Sequence, residues 1–335
     1  MPADAALPLA LTMGDPSGIG GEIALAAWSA GMADPTLPAF CTIADPDWLR
    51  SIGTAPVVEI ADPVEAAAVF PKAVPVLAER LAEPATAGRP QPANAPATVR
   101  AIERAVALAT RGAVGGVVTN PINKKVLYDG AGFADPGHTE FLARLGAVAR
   151  TVMMIAGPSL RVVPVTIHEP LARVPALLSE ALIVETAEIT DAALRRDFGI
   201  AAPRLAVTGL NPHAGEAGAM GREEIEVIAP AIERLRAMGI DATGPHPGDT
   251  LFHAKARARF DVALAMYHDQ ALIPVKALDF DRGVNVTLGL PFVRTSPDHG
   301  TAYDIAGTGR ADPTSLIEAL RLAGRLAARR PVATV

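Results

Sequence analysis

Short apolar runs, broken by turns and by stretches with helical spacing, recur along the whole chain. Leu7 to Met13 reads as a buried strand, Gly14 to Gly21 as a turn and Glu22 to Ser29 as a helix; Phe40 to Ala44 is a second strand. Leu81 to Thr98 is rich in Pro and Ala without any period, which predicts an exposed connection or arm. Val99 to Thr110 then has helical spacing, and Ala113 to Thr119 is strand-like. Farther on, three apolar runs share one design. Val162 to Ile167 ends in His168, Leu205 to Leu210 ends in Asn211-Pro-His213, and Val262 to Tyr267 ends in His268. Helical patterns at about Val184 to Asp197 and Glu223 to Met238 separate the first pair and follow the second. Such alternation predicts an α/β fold of mostly parallel sheets with flanking crossover helices. Parallel strands end on one edge, where open sheets bind ligands, so the three histidines can converge there.

A single histidine after a strand is ordinarily a hydrogen-bonded loop residue. Recurrence at one structural position changes that expectation, although separations of 45 and 55 residues match no local zinc motif. Three neutral imidazoles with an open fourth position suit a catalytic divalent ion, and imidazole favours zinc, cobalt or nickel over calcium. Asp249 and Asp269 either orient such ligands and accept protons or are turn and cap residues. Tyr267 to Asp312 packs His268, Asp269, Lys276, Asn285, Arg294, Asp298 and His299 between short apolar runs, more polar groups than a core segment can bury unpaired. Within it, Asp298 to Gly309 holds three glycines among hydrogen-bonding side chains, which lets backbone N–H groups approach a nucleotide or phosphate. Lys276, Asn285 and Arg294 follow at spacings of nine, and arginine binds carboxylate or phosphate through two parallel bonds.

Other features have blander readings. Lys124 and Lys125 are a solvated helix start or an anion contact, and His246 and His253 are ordinary surface or loop residues. Asp45, closing the second apolar run, raises a Rossmann dinucleotide site, but Gly18 and Gly20 would demand a third glycine at position 23, which is Ile23. A tight strand-to-helix connection is the better reading of that turn.

A length of 335 residues fits two domains or one large α/β unit. Mean hydropathy is +0.27, yet every apolar run is interrupted well short of a membrane span, and MPADAALPLALTMGD has no basic leader region. The single Cys41 excludes an internal disulfide and fits a reducing cytoplasm, so a soluble cytoplasmic protein is expected. A net charge of −6 argues against nucleic acid, so an anionic substrate would need a local basic cluster.

Four segments together, Gly14-Asp-Pro-Ser-Gly-Ile-Gly20, Gly137-His-Thr-Glu140, Asn211-Pro-His-Ala-Gly-Glu216 and Tyr267 to Arg294, closely resemble the 4-hydroxythreonine-4-phosphate dehydrogenase family of pyridoxal phosphate biosynthesis. The likeness covers nearly the whole chain. More distantly, His299-Gly-Thr-Ala-Tyr-Asp-Ile-Ala-Gly307 is similar to the adenosine-binding loop of isopropylmalate and isocitrate dehydrogenases. The resemblance implies an isocitrate/isopropylmalate dehydrogenase-like fold with two subdomains around a cleft: 1–136 plus 295–335 on the cofactor side, and 137–294 for metal, substrate and dimerisation. It implies His168, His213 and His268 as metal ligands, holding zinc, cobalt or magnesium, and His138, Thr139, Lys276, Asn285 and Arg294 as substrate contacts. It further implies cofactor contacts at Gly14, His299, Gly300, Thr301, Asp304 and Asp312, and catalytic roles among Asp249, Asp269 and Lys276. The expected activity is NAD- or NADP-linked oxidation of 4-phosphohydroxy-L-threonine, whose 3-oxo product decarboxylates to 3-amino-2-oxopropyl phosphate; NAD is preferred because no arginine cluster stands ready for a 2′-phosphate. Family members are homodimers with shared active sites.

Departures from the family pattern bear on substrate. Ala271 stands where Gly is common after His-Asp-Gln, and Gly21 where many members have Pro; Tyr303 and Asp312 stand where the distant isopropylmalate enzymes have Pro and Asn. They leave open the relatives that act on D-threonate or D-erythronate 4-phosphate or on an aromatic cis-dihydrodiol. A metal-dependent hydrolase would explain the histidines but not the loop from His299, and a noncatalytic phosphosugar-binding protein would bind without turnover.

Overall fold

A computed structural model describes residues 7–135 and 137–330. The chain forms two compact units, one built from residues up to Thr151 together with those from Leu290 on, the other from Val152–Gly289. Residues 137–151 and 290–294, expected on the metal and substrate side, therefore belong to the first unit.

In chain order the strands are β1 (Leu9–Thr12), β2 (Phe40–Ala44), β3 (Val57–Ile60), β4 (Val74–Ala78), β5 (Val117–Thr119), β6 (Val152–Ala156), β7 (Arg161–Pro164), β8 (Arg204–Thr208), β9 (Asp241–His246), β10 (Val262–Ala265), β11 (Val284–Leu288) and β12 (Arg294–Pro297). In the first unit the order is β3-β4-β2-β1-β5-β12, with every pairing parallel. The second unit runs β11-β6-β7-β10-β8-β9; β7, β10, β8 and β9 are parallel, while β6 is antiparallel to both β7 and β11. β1, β2, β5, β6 and β10 are buried along their whole length, as strands covered on both faces must be, and this is why they appear in the sequence as unbroken apolar runs.

Helices cover these sheets through small residues. Gly20–Gly31 buries Ile23, Ala24 and Ala27, Ala95–Thr110 buries Ala101, Ile102 and Ala105, and Thr314–Ala327 buries Leu316, Leu320 and Ala323. In the second unit, Ala271 and Val275 of the helix His268–Asp279 pack against Ile155, Val162, Ala263 and Ala265. With aromatic residues at only 4% of the chain, alanine contacts of this kind let helix and strand approach closely.

Residues 81–93 form a largely exposed connection, as expected, and two later stretches differ from expectation for identifiable reasons. Residues 81–98 are pinned, because Asn94, 1% exposed, accepts from the N–H groups of Ala82 and Glu83 and donates to the Glu83 carbonyl. An amide side chain there does the work of a missing backbone ladder. The following helix starts at Ala95, earlier than Val99, since Pro96 is well tolerated in a first turn. The helix expected from Glu223 opens instead with a π turn, Glu224–Ile228, before Ala229–Ala237. Pro230 has no N–H to give to the Glu226 carbonyl and its ring crowds that oxygen, so the chain widens by one residue in the preceding turn.

Candidate functional site

In the second unit the three predicted histidines stand just past the carboxyl ends of three neighbouring parallel strands: His168 beyond β7, His268 beyond β10 and His213 beyond β8. The rings of His168 and His268 face each other with centroids 5.6 Å apart and planes tilted by 40°. Asp269 Oδ1 lies 2.7 Å from His268 Nδ1, which puts the proton on Nδ1 and leaves Nε2 as the donor nitrogen, the usual arrangement for a metal-ligating imidazole. His213 is exposed, with its Nδ1 3.8 Å from Glu216 Oε2. Among the described residues no group of three or more His, Cys, Asp or Glu is drawn together closely enough to hold a metal ion, so the pair His168 and His268 is assembled and His213 is not packed against it. The donor set itself fits a divalent ion: borderline nitrogens, two of them exposed and that of His268 half-buried, on one edge. Asp249 lies in the short helix Gly248–Leu251, exposed to solvent.

His246 ends β9 on the same edge, in a strand rather than a loop; its Nε2 lies 3.0 Å from Thr243 Oγ1 and burial pushes its pKa down. His253 caps the helix Ala254–Arg257.

The loops that carry the histidines are cross-tied by residues without obvious chemistry of their own. Gln270 Oε1 accepts from the Met266 N–H at 2.7 Å and from Thr208 Oγ1 at 2.8 Å, while its Nε2 donates to the Gly209 carbonyl at 2.8 Å. One side chain thereby joins the ends of β10 and β8. Thr166 Oγ1 donates to the Met266 carbonyl at 2.7 Å and joins β7 to β10. Strain gathers here: His168 has φ of 55°, and the run His213, Ala214, Gly215, Glu216, Ala217 has φ of 53°, 52°, 78°, 43° and 54°. A left-handed turn costs about 1–2 kcal/mol for each residue with a Cβ, so this run persists only because its surroundings impose it. Glu224 and Gln270 escaped the sequence reading. Glu224 sits in the charged run Arg222 to Glu226, which looks like a solvated face, and Gln270 is one of many polar residues near His268.

Two substrate candidates also belong to this unit. Lys276 lies on the helix His268–Asp279 with its Nζ 5.6 Å from the Phe280 ring centre, and Asn285, half-buried on β11, is paired with Ile155.

The first unit brings together His138, Arg294 and Thr119. Arg294 is 4% exposed on β12 and donates from Nη2 to Thr119 Oγ1 at 2.6 Å. Burial lowers its pKa to about 10, so it remains a cation at neutral pH. His138 opens the helix His138–Leu145 with Thr139 in its first turn; burial, and then the positive charge of Arg294, push the imidazole well below its ordinary pKa. The ring is therefore neutral, and its Nε2 is buried without a hydrogen-bond partner among the described residues. Lys124 Nζ lies close to Gly137, next to this pair, whereas Lys125 forms an ion pair with Asp129 at 2.7 Å. The solvated-helix reading therefore fits Lys125.

The same unit explains the glycine-rich opening turn. Gly14 has φ of 71°, and a Cβ there would come within 2.6 Å of the Pro121 carbonyl, so only glycine fits. Asp15 takes the Ser17 N–H at 2.9 Å and the Tyr303 hydroxyl at 2.7 Å; burial raises the pKa of both partners, and the proton stays on the phenol. The Ile19 N–H donates to the Thr301 carbonyl at 3.1 Å and the Gly307 N–H to Glu22 Oε1 at 2.5 Å. The turn and the first turn of the helix after it thus anchor the loop from His299 at three points. Within that loop His299 Nδ1 lies 3.0 Å from the Gly300 carbonyl, Gly300 has open space where a Cβ would be, and Asp304 is exposed. Asp312 accepts from the Thr314 hydroxyl and N–H at the start of the last helix, which lowers its pKa. Asp45 likewise accepts from the Asp47 and Leu81 N–H groups, as a turn residue rather than a ribose ligand.

Comparison with known proteins gives this arrangement a lineage. The family profile of pyridoxal phosphate biosynthetic protein PdxA matches residues 37–323. The chain belongs to the PdxA family. It is 56% identical over 332 residues to the 4-hydroxythreonine-4-phosphate dehydrogenase of Caulobacter vibrioides, covering 97% of this chain and 99% of that one. The PdxA fold is equally plain: the crystal structure of 4-hydroxythreonine-4-phosphate dehydrogenase from Klebsiella pneumoniae superposes with a TM-score of 0.89 at 40% identity, over 97% of this chain and 99% of that one. A terephthalate 1,2-cis-dihydrodiol dehydrogenase from Burkholderia xenovorans is more distant, with a TM-score of 0.65 at 29% identity over 96% and 98% of the two chains. As a PdxA member with dehydrogenase relatives of this similarity, the chain is an oxidoreductase. Among the described residues no helix is long and apolar enough to cross a membrane.

Proposed function

We propose that this enzyme oxidises 4-hydroxythreonine 4-phosphate at its secondary alcohol with a nicotinamide cofactor, and that the resulting 3-oxo acid loses carbon dioxide to leave 3-amino-2-oxopropyl phosphate. The observation that carries this reading is the set of histidines at parallel strand ends in a chain 56% identical, over nearly its full length, to a dehydrogenase of that name. Among solved structures the similarity to the 4-hydroxythreonine-4-phosphate enzyme is 40%, against 29% for the cis-dihydrodiol enzyme, which favours the phosphorylated substrate.

His168, His213 and His268 would hold a divalent metal, zinc foremost, with cobalt or magnesium as alternatives. Bound there, it would supply Lewis acidity to the alcohol being oxidised. The protein's own groups do the rest. Asp269 keeps the His268 ring in one tautomer. Arg294 offers a fixed cation and His138 a neutral imidazole to an anionic substrate, with Thr139, Lys276 and Asn285 as further contacts. Asp249, Asp269 and Lys276 are the candidates to take up the alcohol proton. Gly14, His299, Gly300, Thr301, Asp304 and Asp312 belong to the cofactor loop and its anchor; NAD is preferred to NADP. The active form is a homodimer, a reading supported by Ile273 and Phe280, 66% and 71% exposed and seven residues apart on one face of the segment that follows His268. The buried Cys41 thiol suits a cytoplasmic protein.

The test is reduction of NAD by purified enzyme with 4-hydroxythreonine 4-phosphate, D-threonate 4-phosphate, D-erythronate 4-phosphate and a cis-dihydrodiol in parallel. The highest kcat/KM is expected for the first. A higher value for another would reassign the substrate, and phosphate release without nicotinamide reduction would make the enzyme a hydrolase.

A further inference from the structure

Beyond β8 the chain passes through Gly209, Leu210, Asn211 and Pro212 before it reaches His213, and it then coils left-handed to Ala217. Four residues of that coil, His213, Ala214, Glu216 and Ala217, carry side chains that disfavour the conformation. Something outside the coil must hold it, and the group in contact with it is Glu224. This carboxylate is 3% exposed at the start of the π turn. Its Oε1 accepts from the Leu210 N–H at 2.8 Å and the Asn211 N–H at 2.7 Å, and its Oε2 accepts from Asn211 Nδ2 at 2.9 Å. The backbone folds tightly over it: a Cβ at Gly215 would lie 2.5 Å from Oε2, and one at Gly209 would lie 2.9 Å from Oε1. Asn211 in turn bonds Glu223 through Nδ2 and accepts the Ala214 N–H at its carbonyl, so the hold extends to the residue after His213.

We propose that Glu224 is a positioning residue that sets the direction of His213 by clamping the strained loop from Gly209 to Gly215. The proposal rests on the reading of His213 as a metal ligand. Glu224 has both oxygens committed to the loop, so it acts through His213 and not as a ligand itself. The wide turn before Pro230 then has a purpose, since it delivers the carboxylate under the loop.

Zinc affinity, measured on the full-length enzyme by competition with a chromophoric chelator, tests this together with hydrogen exchange at the Leu210 and Asn211 amides. Glu224→Gln keeps the size of the side chain but turns one acceptor into a donor. It is expected to weaken zinc binding about 10–100-fold, the range for lost outer-shell support, and to speed exchange at both amides. His213→Ala should weaken zinc as well, and the double variant should be no weaker than His213→Ala alone, because the two act through one bond. Glu224→Asp, which keeps the charge with a shorter reach, and Gly215→Ala, which pushes the loop off the carboxylate, provide folded alternatives and should show the same paired changes. If His213→Ala leaves zinc affinity unchanged, the metal reading fails. If it weakens zinc while the Glu224 variants bind as wild type, or if the losses add in the double variant, the positioning role is overturned.

Discussion

Replacing Gln270 by Leu removes three hydrogen bonds at once and keeps most of the volume. The Met266 N–H, the Thr208 hydroxyl and the Gly209 carbonyl each lose a partner, and both Met266 and Thr208 are fully buried. The hydroxyl can rotate toward another acceptor, but the two backbone groups cannot. An unsatisfied buried polar group costs about 1–3 kcal/mol, so two of them cost roughly 2–6 kcal/mol; partial relaxation places the expected loss near 3 kcal/mol. In urea, with a slope of about 1–3 kcal/mol per molar, that moves the midpoint of the second unit by about 1–3 M. The Met266 amide should also exchange faster. Gln270→Glu separates geometry from charge, because it retains the acceptor for Met266 and Thr208 but turns an oxygen toward the Gly209 carbonyl. It should be less stable than wild type at neutral pH and recover as the pH falls, since a protonated carboxyl can donate to that carbonyl. The folded state would then raise the pKa of this group, and its stability is fully present below the unfolded pKa. A Gln270→Leu unfolding free energy within about 0.5 kcal/mol of wild type, or a Gln270→Glu variant that loses stability on acidification relative to wild type, would refute the cross-tie.

Arg294→Ala should raise KM for the phosphorylated substrate by about one to two powers of ten, the equivalent of a lost charge-assisted bond of roughly 1.5–3 kcal/mol, with cofactor KM unchanged; an equal loss for the dephosphorylated substrate would assign Arg294 to the carboxylate or the fold. Tyr303→Phe deletes the donor to Asp15 Oδ2, and with it about 1 kcal/mol of support for the proposed cofactor loop, so KM for NAD should rise several-fold at nearly constant kcat. A fall in kcat at unchanged KM would place Tyr303 in the chemistry instead. His138, held neutral with a depressed pKa, makes the folded state resist a proton that the unfolded chain accepts below about pH 6.5. Stability should therefore decline as pH drops below that value, and His138→Gln should flatten the decline in acid unfolding curves.

The strands were legible wherever burial on both faces forces an unbroken apolar run. β2 coincides with the expected Phe40 to Ala44, and the ends of β7, β8 and β10 fall within a few residues of expectation. The convergence of His168 and His268 follows from that, because parallel neighbours share an edge. β5 is shorter than Ala113 to Thr119: Gly115 and Gly116 already exchange backbone bonds with Pro8 and Ala10, and the regular strand begins only at Val117. Tertiary hydrogen bonds left no mark of the same kind. Asn94, Glu224 and Gln270 each satisfy backbone groups distant in sequence, and their residue types are as common on surfaces as in such roles. The left-handed coil after His213 was equally hidden, because nothing in Ala214 or Ala217 announces a conformation that their side chains oppose.

The departures from the patterns of the family and of the distant isopropylmalate enzymes differ in what they touch. At Gly21 a Cβ would lie within 2.8 Å of the Trp48 ring and 2.5 Å of Ile52 Cδ1, so the missing side chain is answered by a tryptophan that fills its place. Ala271 is fully buried among Ile155, Val162, Ala263 and Ala265, on the side of its helix that packs against the sheet. Both substitutions are absorbed by packing and do not alter a hydrogen bond to any candidate ligand. Asp312 is occupied at the start of the last helix, where its carboxylate holds Thr314. Tyr303 is different, because its hydroxyl reaches Asp15 in the turn that anchors the loop from His299. A proline there could make no such bond, and the loop would have to be held by the Thr301 and Gly307 contacts alone. Changes confined to packing leave substrate choice where the family has it, and a divergence in cofactor affinity from the distant isopropylmalate enzymes should therefore trace to Tyr303.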